Sequence, residues 1–301
     1  MDPACGTGGF LTCSVEHIRK NYVKNVEDRH ILQQQIHGVE KKQLPHLLCT
    51  TNMLLHGIEV PSQIRHDNTL ARPLRDWGPK DRVKVIITNP PFGGMEEDGI
   101  ELNFPKATQT RETADLFLQL IIHVLESTGR AALVLPDGTL FGEGVKTKIK
   151  EKLLQECNLH TIVRLPNSVF APYTGIKTNL LFLEKGTPTK EVWYYEQQLP
   201  EGVKAYNKTK PMKAEEFDAC KEWWGGESRK ARKESEIAWK VSVEDIVASN
   251  FNLDIKNPHV VDIDHGDPDE LLASYQQLQH EISETLDTLK DELAKALSEA
   301  T

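Results

Sequence analysis

The sequence is poor in the features that would take it to a membrane or out of a cell. No run of its 301 residues approaches the roughly 18 consecutive apolar side chains that span a bilayer. Met1 is followed at once by Asp2-Pro3-Ala4-Cys5, with no basic and then apolar leader. Membrane and secreted classes are therefore set aside, and a cytoplasmic location is expected. Cysteine is also scarce: the five (Cys5, Cys13, Cys49, Cys157, Cys220) are odd in number, scattered and never in Cys-x-x-Cys spacing. That argues against a disulfide framework and a zinc knuckle, so no metal site is expected. Internal repeats and low-complexity tracts are missing. So is any excess of basic charge: 36 Lys and Arg face 45 Asp and Glu, a net charge of −9, which at first argues against a nucleic-acid partner. The deficit sits at one end. From Asp262 onward the chain has eleven acidic and two basic residues, and before it the two signs balance at 34 each. Total charge thus neither supports nor excludes DNA.

What is present is the composition of a globular protein, 39% hydrophobic and 27% charged, long enough for one large α/β domain or two small ones. Apolar runs at 35–40, 64–69, 83–89, 131–136, 160–165 and 179–184 alternate with helical patterns, the rhythm of a parallel sheet covered by helices. The run 115–125 is apolar and long enough for a helix packed on that sheet and ending near Gly129. Only about a dozen residues separate the last two runs, too few for a helical crossover, so an antiparallel hairpin closing one edge is expected. Residues 93–111 carry no periodicity and follow a Pro-Pro turn, as functional loops do. Residues 187–256 are polar, with Trp193, Trp223, Trp224 and Trp239, and read as an irregular extension. From Asp269, Leu271, Tyr275, Leu278, Ile282, Leu286, Leu289, Leu293 and Ala296 recur at steps of three and four. That is a helix with one apolar seam, packed on its own domain or on a partner helix.

Four segments carry chemistry. Asp2-Pro3-Ala4-Cys5-Gly6-Thr7-Gly8-Gly9-Phe10 runs into a helical pattern, placing glycines where a backbone can approach a ligand that faces helix N–H groups. A structural turn would look the same. Glu40 ends the run 35–40, where a carboxylate can accept both hydroxyls of a ribose or simply be solvated. Asp67 has the same relation to the sheet's carboxyl edge, with Asn68 beside it. The run 83–88 leads into Asn89-Pro90-Pro91-Phe92. Two prolines fix the backbone and remove two donors, so carbonyl oxygens and the Asn89 amide oxygen can converge as acceptors. Acceptors alone suit a planar amino group, taking its hydrogens and drawing its lone pair out of conjugation; Phe92 offers a face for the heterocycle. A rigid turn around a buried aromatic is the plainer alternative.

Together these segments resemble an amino-group DNA methyltransferase, and more closely the modification (M) subunit of type I restriction-modification systems. Residues 131–138 (Ala-Ala-Leu-Val-Leu-Pro-Asp-Gly), 170–179, Asn252-Leu253-Asp254 and the terminal helix share in the resemblance, which covers nearly the whole chain. It implies a doubly wound, Rossmann-like α/β methyltransferase sheet with an antiparallel edge strand, a C-terminal extension and a helix. It implies S-adenosylmethionine as cofactor, held by Asp2, Pro3, Cys5, Gly6, Thr7, Gly8, Gly9, Glu40, Asp67 and Asn68. It also implies Asn89, Pro90, Pro91 and Phe92 as the catalytic turn, acting on adenine N6 in double-stranded DNA. The partners implied are a specificity (S) subunit at the terminal helix and a restriction (R) subunit. The expected division is 1–186 catalytic, 187–268 extension and 269–301 partner helix. The family carries an N-terminal helical domain and a segment ahead of the first strand that this sequence lacks. It therefore reads as the carboxyl-terminal part of a longer protein, with a gap beside the strand 83–88, low stability and weak cofactor binding. Two rival readings stay open: methyl transfer to another nitrogen (cytosine N4, RNA, a protein glutamine), or an inactive truncated product that keeps only an assembly role.

Overall fold

The computed structural model describes residues 1–259 and 268–299. Its elements, in chain order, are α1 (Gly9–Asn21), α2 (Val26–Gln35), β1 (Gly38–Glu40), α3 (Gln43–Leu55), β2 (Ile64–His66), β3 (Val83–Thr88), α4 (Thr113–Val124), β4 (Leu125–Pro136), α5 (Asp137–Phe141), α6 (Val145–Glu156), β5 (Cys157–Arg164), β6 (Thr178–Lys185), β7 (Glu191–Glu196), α7 (Asp218–Trp223), β8 (Ala238–Ser242), α8 (Val243–Ala248) and α9 (Pro268–Glu299). β1 and β2 pair in parallel, and a six-stranded sheet runs β3-β4-β6-β5-β7-β8.

Met1 and Asp2 join the two sheets. The Met1 nitrogen donates to the Val85 carbonyl at 2.8 Å and the Met1 carbonyl accepts from Ile87 at 3.2 Å. On the other side, Asp2 N–H reaches His37 at 2.9 Å and Val39 N–H reaches Asp2 at 3.0 Å, a parallel bridge to Gly38. The expected gap beside β3 is thus spanned over these two residues. It follows that β2, β1, Met1–Asp2, β3 and β4 share a direction, and their carboxyl ends lie along one edge.

Helices cover the main sheet on both faces, as successive residues of β5 show. Ile162 joins α4 and α6 in one core, whereas Val163 joins Tyr195, Cys220 and Ala238 in another. α4 is apolar nearly all round and buried along almost its whole length. Leu118, Ile121 and Ile122 pack on the sheet, while Leu116, Phe117 and Leu120 meet Leu70, Leu74 and Trp77. A separate core under α1, α2 and α3 supports the first strand ends.

The sheet departs from the sequence reading in two places. The β5–β6 pair is antiparallel, with Ile162 opposite Leu181, but it lies inside the sheet. The edge strand is β8, itself antiparallel to β7. Both β7 and β8 come from the stretch read as irregular. They form because Tyr194 and Trp239, directly opposed, stack at 5.4 Å with ring planes 7° apart and are fully buried. Residues Met1–Asn257 form one compact unit.

α9 belongs to a second unit. Its 32 residues give a rod of about 48 Å. Tyr275, Leu278, Ile282, Leu286 and Leu289 are each more than half exposed. The side chains of Leu271, Leu293 and Ala296, and residues 260–267, lie outside the described residues. Among the described residues no helix is long and apolar enough to cross a membrane.

Candidate active site

The glycine turn has the backbone its sequence demands. Gly6 and Gly8 have φ of 54° and 87°, and a Cβ on Gly8 would sit 2.7 Å from the Cys49 sulfur. α3 thus holds the turn from behind, with Asn52 Nδ2 donating to the Thr7 carbonyl at 2.8 Å. Cys5 is turned away from solvent, its sulfur 3.7 Å from that of Cys49. That contact, with burial, pushes the Cys5 thiol well above its ordinary range. The Cys5 main chain is also committed, its N–H to Val39 and its carbonyl to Gly8 N–H. Cys5 therefore shapes the turn through its packing. Thr7 and Gly9 are exposed, and α1 opens at Gly9 without a side-chain cap, so its first N–H groups form a place for an anion.

Around the turn the strand ends are tied together. Glu40 Oε2 accepts from Gly6 N–H at 2.9 Å and Oε1 from Lys42 N–H at 2.8 Å. Each oxygen keeps a lone pair for a further donor. Asp67 donates its N–H to the Glu40 carbonyl, and its side chain is half-exposed with Arg65 4.0 Å away. Both ends of the Asn68 amide are engaged: Oδ1 caps the following 3-10 turn through Leu70 N–H, and Nδ2 lies 3.4 Å from Glu96. The Pro3 carbonyl accepts from the Thr69 hydroxyl at 2.6 Å. Asp2 is buried, with Oδ1 accepting from Ala4 N–H and from the Thr88 hydroxyl at 2.6 Å. Burial raises its pKa to about 6.

Thr88 ends β3, and Asn89 follows. The Asn89 Oδ1 atom is buried and has no hydrogen-bond partner. An unpaired buried acceptor costs about 1 to 3 kcal/mol, and beside two prolines that supply no N–H it is open to a donor from a ligand. Pro90 is buried and Pro91 exposed. Phe92 is half-buried and meets Phe170 edge to face at 5.7 Å, bringing the loop 165–177 over the turn. The structure thus gathers the first turn, Glu40, Asp67, Asn68 and Asn89–Phe92 along one sheet edge.

Sequence reasoning missed several residues that hold this arrangement. Glu96 reaches Lys41, Asn68 and Thr113. Two segments singled out in the sequence, 131–138 and 170–179, prove to be joined: Asn179 Nδ2 donates to Asp137 Oδ1 at 2.6 Å, closing the start of α5 on β6. Lys146 pairs with buried Asp115 at 2.7 Å beneath α4. Glu96 stands beside Glu97 and Asp98 in an aperiodic loop, so nothing in the sequence set it apart. Its partners are distant in sequence.

Residues 1–265 match the N-6 DNA Methylase family. The chain is 68% identical over 300 residues to the type I restriction enzyme EcoEI methylase subunit of Escherichia coli, covering 99% of this chain and 61% of that protein. It is 33% identical to the EcoKI methylase subunit of Escherichia coli K12, covering 81% of this chain and 48% of the relative. A crystal structure of a modification subunit of a putative type I restriction enzyme from Vibrio vulnificus superposes with a TM-score of 0.80 at 50% identity, over 88% of this chain and 56% of that one. The chain therefore spans about half to three-fifths of the length of these relatives. On the match over 265 residues and these identities, the chain belongs to the N-6 DNA Methylase family.

Proposed function

We propose that this chain is the catalytic part of a type I modification subunit, transferring a methyl group from S-adenosylmethionine to adenine N6 in double-stranded DNA. The observation that carries the reading is the partnerless, buried Asn89 oxygen. An adenine amino group has two N–H bonds; Asn89 Oδ1 takes one and the Pro90 carbonyl takes the other. Both hydrogens then lie toward acceptors, and the nitrogen lone pair is freed to face the methyl donor. Phe92, backed by Phe170, walls a base flipped from the duplex. No strong base is needed, because the amine loses its proton only after attack. Catalysis is then mainly positioning.

The residues present fit the cofactor. The uncapped α1 N-terminus suits a carboxylate, Glu40 has a lone pair on each oxygen for the ribose hydroxyls, and half-exposed Asp67 can accept from the adenine amine. Gly6 and Gly8 let the backbone come close, while Asp2, Pro3, Cys5 and Asn68 frame the site. When bound, S-adenosylmethionine supplies a methyl carbon activated by the adjacent sulfonium. The catalytic role is assigned to residues 1–186 and partner binding to 269–301. The partners are a specificity subunit, gripped by the α9 seam, and a restriction subunit; the setting is the cytoplasm.

Transfer of a labelled methyl group to duplex DNA, RNA and protein, followed by identification of the methylated residue, tests this. N6-methyladenine in DNA is the expected product. N4-methylcytosine, label in RNA or on a protein glutamine, or assembly with partners and no transfer at all would each replace the reading.

A further inference from the structure

We propose that Glu96 is a positioning residue for methyl transfer, holding the catalytic turn in register with the two strand ends assigned to the cofactor nucleoside. The proposal rests on the functional reading above and goes beyond it in assigning a role to a residue outside every motif.

The geometry is specific. Glu96 lies four residues after Phe92, in the loop that leaves the catalytic turn, and its side chain is only 10% exposed. Oε2 pairs with Lys41 Nζ at 3.1 Å and lies 3.4 Å from Asn68 Nδ2. Oε1 is 3.5 Å from the Thr113 hydroxyl, at the start of α4. Lys41 follows Glu40, and Asn68 follows Asp67. One carboxylate thus reaches the residue next to each proposed nucleoside contact. Its main chain is fixed as well: Glu96 N–H donates to the Arg111 carbonyl at 2.8 Å, and its carbonyl accepts from the Arg111 guanidinium at 3.1 Å. Gly94, between Glu96 and Phe92, accepts from the Thr113 N–H and hydroxyl.

The far part of the loop 93–112 is anchored by Asn103, which donates to the Leu70 and Ala71 carbonyls, and by buried Phe104; its first residues, which lead directly out of Asn89–Phe92, meet the two strand ends through Glu96. Displacement of a reacting group by about 1 Å can cost 10²-fold in rate. The Glu96 side chain is the part of this anchoring that reaches the residues beside Glu40 and Asp67, and it does so through charge-assisted contacts. The same link runs backwards: a nucleoside that settles Glu40 and Asp67 also settles Lys41 and Asn68, and through Glu96 the loop.

The test combines S-adenosylmethionine titration by calorimetry, hydrogen exchange of the full chain with and without S-adenosylmethionine, and methyl-transfer kinetics. In the wild type, S-adenosylmethionine should slow exchange of amides at 94–103 at least three-fold. In Glu96→Ala that protection should vanish while cofactor Kd shifts less than three-fold, and kcat should fall roughly 10- to 100-fold. Glu96→Gln, which keeps an acceptor, should recover part of the loss. Lys41→Met removes the Lys41 contacts to both Glu96 and Glu97, at 3.1 and 3.0 Å, and guards against a misfolded Glu96→Ala; it should lower kcat in the same direction. Cofactor-dependent protection that persists in Glu96→Ala, or equal losses of kcat and cofactor affinity, would overturn the proposal alone. A wild type that binds no S-adenosylmethionine would overturn the functional reading on which it rests.

Discussion

The Thr88 hydroxyl donates to the Asp2 carboxylate at 2.6 Å, joining the strand that leads into Asn89–Phe92 to the start of the glycine turn. The contact is buried, and burial moves the Asp2 carboxyl from 3.8 to about 6. Between those values the folded chain holds a proton that the unfolded chain has released. This contribution to stability is complete below about pH 3.8 and is lost as pH rises through 6. Above that range the ionised group costs on the order of 3 kcal/mol relative to the acid limit. Asp2→Asn removes the titration while keeping an acceptor for Thr88 and Ala4. In thermal melts the stability of the wild type should therefore decline relative to Asp2→Asn between about pH 4 and 6.5. A constant difference across that range would contradict the assignment.

Glu40 makes a different prediction, because a ribose contact is present before and during the reaction alike. Glu40→Ala should weaken S-adenosylmethionine binding by about 1 to 3 kcal/mol, with kcat at saturating cofactor changed far less. The variant also frees Gly6 N–H, so stability is to be measured beside calorimetric affinity. Unchanged affinity in a folded Glu40→Ala would show that the carboxylate serves only the turn.

The α9 seam is predicted to bind another subunit. Ile282 and Leu286 are exposed and one turn apart. Burying each against a partner is worth about 1.5 to 3 kcal/mol. Ile282→Asp with Leu286→Asp should cut copurification of a specificity subunit at least 100-fold, with the circular dichroism melt of the whole chain unchanged. Retained copurification would place that contact elsewhere.

Local turns and strand ends were legible in the sequence; long-range pairing was not. Asn89-Pro90-Pro91-Phe92 announces its acceptors because the two prolines act on neighbouring atoms, and Gly6 and Gly8 announce a turn because their backbones need positive φ. Glu40 and Asp67 were readable as strand ends. β7 and β8 were not, since Tyr194 and Trp239 become strand residues only by stacking on each other across 44 intervening positions. The β5–β6 hairpin was visible from its short connection, but its interior place depends on those two further strands. Glu96 was hidden for the same reason: Lys41, Asn68 and Thr113 lie 55, 28 and 17 residues away. Asn68 showed its position but not its use, because only the structure reveals both ends of its amide engaged.

The most direct test of the whole account is single-turnover methyl transfer by Asn89→Ala, measured beside its affinity for S-adenosylmethionine. Removing the orphaned Asn89 oxygen relieves a buried, unpaired acceptor, so Asn89→Ala should melt no lower than wild type, and its cofactor Kd should stay within about three-fold. Transfer to adenine N6 should fall roughly 10²- to 10³-fold, the scale for losing one preorganised polar contact to a reacting group. Near-normal transfer by Asn89→Ala would contradict the account, because the amine would then be oriented by something other than this turn.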